Sequence, residues 1–168
     1  MQKVQNKTNA AFSAVELLVA MAITAVLFVA VALAFNASVI NYNQNEKIFR
    51  AVNGARVALS QITTQVRTAD TVDPAAPANE CTLTTAAGQN ITYRYNSAGN
   101  TLYLITNDNP SDGDYVLCEN VTAMTFSRQT FVEDTQTKVK SVQISMTVAS
   151  GNVQQTLAAA AVVRKNLD

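Results

Sequence analysis

Few residues in this chain are equipped to do chemistry. None of its 168 residues is histidine, which excludes a Ser/His/Asp or Cys/His nucleophile system, a His-ligated zinc and an imidazole pH switch. Cys81 and Cys118 are too few for a four-thiolate zinc site and lack the Cys-x-x-Cys spacing of a redox pair. The turn Asp108-Asn109-Pro110-Ser111-Asp112-Gly113-Asp114 gathers carboxylates around a glycine, and Glu119 falls at the twelfth place counted from Asp108, an arrangement that suits calcium. Pro110, however, occupies the third loop position, where an oxygen ligand is needed, and no helical flanks are evident. A solvated hairpin turn is the better reading, and no metal or cofactor is assigned. That leaves Glu16, a lone carboxylate at the mouth of an uncharged apolar run. An ionisable group at the edge of a membrane segment costs on the order of 2 to 3 kcal/mol as it moves toward the bilayer centre, so it calls for a partner. With no catalytic constellation, the chain reads as a structural or binding protein and not as an enzyme.

The element that positions Glu16 is the run itself. Leu17 to Phe35 reads LLVAMAITAVLFVAVALAF, in which Thr24 is the only polar side chain. Nineteen helical residues rising about 1.5 Å each cover most of a hydrocarbon core roughly 30 Å thick. The first eleven residues contain Lys3 and Lys7 and no acid, while Asn41, Asn43, Asn45 and Glu46 follow the run. The positive-inside bias therefore predicts a single-pass protein of the inner membrane with its N-terminus cytoplasmic and the bulk of the chain outside. An alternative is a secretory signal cut at Ala32-Leu33-Ala34, which would release a soluble β-rich binding domain after Ala34. Against it stand the length of the apolar run and the acid at its head.

The local sequence Ala11-Phe12-Ser13-Ala14-Val15-Glu16, followed by the apolar helix, resembles the prepilin N-terminus: a short basic leader, a small residue, Phe, three residues, Glu, then an unbroken hydrophobic stretch. The chain is thus similar to the type IV pilin and type II secretion pseudopilin superfamily. The resemblance implies cleavage between Ala11 and Phe12 by a membrane prepilin peptidase, with N-methylation of the Phe12 amine, although the family prefers glycine where Ala11 stands. It implies that Glu16 acts in assembly, meeting the Phe12 amine of a neighbouring subunit as apolar stems stack. Partners implied are the prepilin peptidase, other pilins or pseudopilins met through the N-terminal helix, and an inner-membrane assembly platform. Major pilins carry a proline well inside this helix, where here Leu33 stands and the first proline is Pro74. The resemblance is therefore closest to minor pilins or minor pseudopilins, which initiate or cap filaments serving secretion, adhesion or DNA uptake.

Beyond the membrane the pattern becomes one-sided. Ile48, Val52, Ala55, Leu59, Ile62, Val66 and Ala69 recur every three or four residues, predicting an amphipathic helix that faces a sheet, with a short coiled coil as the alternative. Gly54 suggests a bend or a close approach to another backbone. A two-proline loop from Asp73 to Asn79 ends helical character. Strands are expected over 81–85, 91–95, 101–105, 121–126, 142–148 and 153–163, the second and third joined as a hairpin across Asn96 to Asn100. The expected fold class is α+β: a long N-terminal helix, transmembrane then amphipathic, packed on an antiparallel β-sheet in a pilin-like arrangement. Expected divisions are a leader (1–11), a transmembrane and polymerisation helix (12–40), an amphipathic helix (41–69) and a sheet head (70–168). With both cysteines outside, an even count favours a Cys81–Cys118 disulfide closing a loop of about 37 residues, the alternative being two buried thiols. Twelve basic against twelve acidic side chains, with Arg128, Lys138 and Lys140 sparse, argue against nucleic acid as a partner.

Overall fold

The computed structural model describes residues 13–109, 111 and 113–166. Among the described residues the helix α1 (Ala14–Thr68) is followed by strands β1 (Thr71–Val72), β2 (Glu80–Thr84), β3 (Asn90–Asn96), β4 (Thr101–Thr106), β5 (Asp114–Cys118), β6 (Val121–Glu133), β7 (Gln136–Ser150) and β8 (Val153–Val162), and by a 3-10 turn (Arg164–Asn166). The class is α+β. Chain contacts divide the protein into two units, Met1–Asn43 and Gln44–Asp168, so the amphipathic part of α1 belongs with the strands.

In the first unit the helix is apolar on every side, and its large side chains are exposed: Leu18 by 67%, Phe28 by 70% and Phe35 by 71%. By length and composition this stretch can cross a membrane. Within Leu17 to Phe35 the one polar side chain is satisfied internally, since the Thr24 hydroxyl donates to the Ala20 carbonyl at 2.7 Å. The Ser38 hydroxyl does the same to the Ala34 carbonyl at 2.9 Å. Such back-bonding leaves no hydroxyl seeking water at that depth.

In the second unit the single expected sheet is replaced by two antiparallel ones, β1-β2-β3-β4-β5 and β6-β7-β8, each strand paired with its sequence neighbour. The chain changes sheet between β5 and β6 at Glu119-Asn120, where Asn120 takes a positive φ of 61°. Both sheets and the helix nevertheless share one core. Ala55, Leu59, Ile62, Val66 and Ala69 of the expected stripe are buried, joined by Ala58. They meet Leu83, Tyr93 and Leu102 of the first sheet and Phe126, Val142, Ile144, Met146 and Val148 of the second. The alternation read in 142–148 is therefore the inner face of β7.

Three details differ from expectation. Strands β1 and β5 had no counterpart in the sequence reading. β6 and β7 run well past the expected limits into a long ribbon, closed by the two-residue turn Asp134-Thr135 with φ of 48° and 70°. Gly54 meets no backbone; a Cβ there would lie 3.8 Å from the Cys118 sulfur, an ordinary contact.

Candidate functional site

Glu16 sits in the first turn of α1 and completes a capping box with Ser13. The Ser13 hydroxyl accepts from the Glu16 N–H at 3.2 Å, and the Glu16 carboxylate, through Oε2, accepts from the Ser13 N–H at 3.0 Å. The Ser13 carbonyl accepts the first helical bond, from the Leu17 N–H at 3.2 Å. Ser-x-x-Glu before an apolar run is a readable helix-start signal, satisfying two otherwise orphaned donors. Ser13 engages the carboxylate through Oε2. Ala11 and Phe12, the expected cleavage and methylation site, lie outside the described residues.

The expected Cys81–Cys118 disulfide is not formed: both cysteines are free thiols, and both are buried. Topology supplies the reason. Cys81 lies on β2 and Cys118 on β5, with β3 and β4 between them. Three strand spacings place their backbones about 14 Å apart, whereas a disulfide needs Cα atoms within about 7 Å. An even cysteine count carried no information about that distance.

Around Cys81 the structure builds a polar cluster that had no signature in the sequence. Cys81 pairs across the ladder with Tyr93. Arg128 reaches over from β6, where its guanidinium donates to the carbonyls of Ala76 (2.9 Å), Pro77 (3.3 Å) and Glu80. The neighbouring Phe126 N–H donates to the Ala78 carbonyl at 2.7 Å. Arg128 thus ties the two-proline loop to the second sheet. Burial pushes the Cys81 thiol up to about 11, with Arg128 pulling the other way and Asp73 adding to the rise. Burial, reinforced by Cys81, likewise raises the Tyr93 phenol to about 12, against a lowering influence from Gln61. Burial and Glu119 raise the Cys118 thiol as well.

Raised thiol values fix a sign. Above the ordinary value of 9.0 the unfolded chain releases a proton that the folded chain keeps. The Cys81 contribution to stability is therefore whole below pH 9 and is lost as the pH climbs to about 11, a change of about 3 kcal/mol. Denaturant midpoints taken across that range should fall accordingly. A thiol reagent should find no reactive cysteine in the native chain and two after unfolding.

In the acidic turn the Asp108 carboxylate accepts from the Asn90 N–H at 2.7 Å, tying the turn to β3. Pro110 and Asp112 lie outside the described residues. Among the described residues no three metal-ligating side chains come together. A polar groove of about 610 Å³ runs between β1, β2, the start of β7 and the C-terminal turn, lined by Asp70, Asp73, Asn90, Lys138 and Lys165. The Lys165 ammonium lies 3.0 Å from the Asp70 carboxylate across it. No family model, curated protein or solved structure matches the chain.

Proposed function

We propose that the protein is a membrane-anchored structural subunit of a type IV pilus-like filament, a minor pilin or pseudopilin that starts or caps an assembly. One observation carries the reading: α1 holds a lone carboxylate, Glu16, in its first turn and continues from Leu17 to Phe35 as a stretch apolar on all sides with its side chains exposed. Exposed apolar surface of this kind requires lipid or other stems around it. In an assembly the carboxylate would meet the amine that cleavage before Phe12 creates on a neighbouring chain, neutralising two charges that are costly near hydrocarbon. In this reading the N-terminus faces the cytoplasm, the strand-bearing unit lies outside, and prepilin peptidase, sibling pilins and an inner-membrane platform are the partners.

The competing reading is export after Ala34, against which stand the length of the apolar run and the acid at its head. N-terminal sequencing of the protein isolated from cells tests the proposal. A chain beginning at Phe12 with a methylated amine is the expected result. A start at Met1 or Phe35 would overturn it.

A further inference from the structure

We propose that the free edge of β8 is a self-pairing surface through which two copies of this chain join their three-stranded sheets into one of six strands. β8 ends the order β6-β7-β8, so one of its edges has no neighbouring strand among the described residues. Which of its residues face that edge follows from two independent marks. The Val163 N–H donates to the Lys140 carbonyl at 3.0 Å. At the other end, Ser150 and Val153 flank a two-residue turn, where the flanking pair is hydrogen-bonded. The β7–β8 register runs without a bulge between these marks. The odd-numbered residues therefore turn their backbone groups toward β7, and Gln154, Thr156, Ala158, Ala160 and Val162 turn theirs outward. Their side chains are all exposed.

Edges elsewhere in the chain are managed. On β6 the Phe126 N–H is taken by the Ala78 carbonyl. β1 has only two residues, and β5 has five and carries Asp114. β8 has none of these protections: VQQTLAAAAV contains no charge, no proline and no bulge over ten residues. A long, regular, uncharged edge is a template for another strand.

The occupant that fits is β8 of a second copy. Antiparallel pairing about a two-fold axis at Ala158 sets Thr156 opposite Ala160 and Gln154 opposite Val162. No like charges meet, and the central side chains are methyl groups that clear each other. This register engages all five outward residues of each strand, whereas a two-fold centred on Thr156 or Ala160 leaves one end unused. It yields about ten backbone hydrogen bonds, the number typical of a whole protein interface. Because the contact is two-fold it closes on itself and adds no third copy, so it is separate from stacking through the stem.

The test uses the full chain in membranes or detergent. Ala158→Cys places two thiols on directly opposed residues, whose Cα atoms lie about 5.5 Å apart in such a pair, within disulfide range. Mild oxidation should convert it to a covalent dimer. Ala160→Cys should not react, because the two copies of that residue lie about four residues apart along the strands, near 14 Å. The native chain is the control, its own thiols being buried. Ala158→Pro removes only an outward N–H, which an edge strand tolerates. It should keep the native circular-dichroism spectrum and convert a dimer, measured by sedimentation of the detergent-solubilised protein, to a monomer. The proposal is overturned if the native chain sediments as a monomer, if Ala158→Cys gives no homodimer or couples to another protein, if Ala160→Cys reacts equally well, or if Ala158→Pro stays dimeric.

Discussion

Glu16→Gln should keep the start of α1 intact and still abolish incorporation into filaments. Glutamine at the third helical position preserves the capping box, because its side-chain oxygen can accept from the Ser13 N–H as the carboxylate does. What it loses is the charge. If Glu16 pairs with the amine of an adjoining subunit, leaving that amine unanswered in an apolar setting costs about 3 kcal/mol, or roughly a hundredfold in incorporation. Glu16→Ala should match it in assembly but also weaken the first turn by about 1 kcal/mol. Membrane insertion should be unimpaired in both. The measurement is the fraction of chain recovered in sheared filaments against membranes, with circular dichroism reporting the helix. Normal assembly of Glu16→Gln would reduce Glu16 to a helix cap and remove the pairing from the proposed function.

Arg128→Ala should be among the most destabilising single changes to the strand-bearing unit. The guanidinium holds the carbonyls of Ala76, Pro77 and Glu80, and among the described residues no other side chain donates to any of the three. Charge-assisted bonds of this kind are stronger than neutral ones, but the loop is partly open and water can replace some of them. A net loss of about 3 kcal/mol follows, equivalent to about 10 °C in melting temperature for a unit of this size. Arg128→Lys should recover only part of it, since an ammonium cannot hold three carbonyls in one planar fork. Thermal unfolding of the three proteins checks the order native, lysine, alanine. If alanine melts with the native chain, the tie between loop and second sheet is not what holds them together.

What could be read from the sequence was whatever repeats locally. The 3.6-residue stripe through Ala55, Leu59, Ile62 and Val66 and the alternation through Val142, Ile144, Met146 and Val148 are burial written in periodic form, and both are core. β5 escaped because Asp114 to Cys118 follows a turn rich in acids and is only five residues long, with Tyr115 and Val116 both exposed. The β6–β7 ribbon beyond Phe126 escaped because its residues are mostly polar or exposed, so hydrogen bonding and not burial defines it there. The division into two sheets, the distance between the cysteines and the reach of Arg128 to Glu80 depend on contacts far apart in the chain. No short pattern encodes such contacts. Glu16 shows the opposite difficulty: Ser13-Ala14-Val15-Glu16 is legible twice over, as a helix start and as part of a prepilin-like terminus.

The plain meander of both sheets bears on the order of events when such a chain is delivered from its N-terminus. No strand waits for a distant successor: β2 can zip to β1, β3 to β2, and so on to β5, before β6 opens a fresh series that ends with β8. The last ladder to close is then the one carrying the uncharged rim, which spends the least time bare before the rest of the unit is in place.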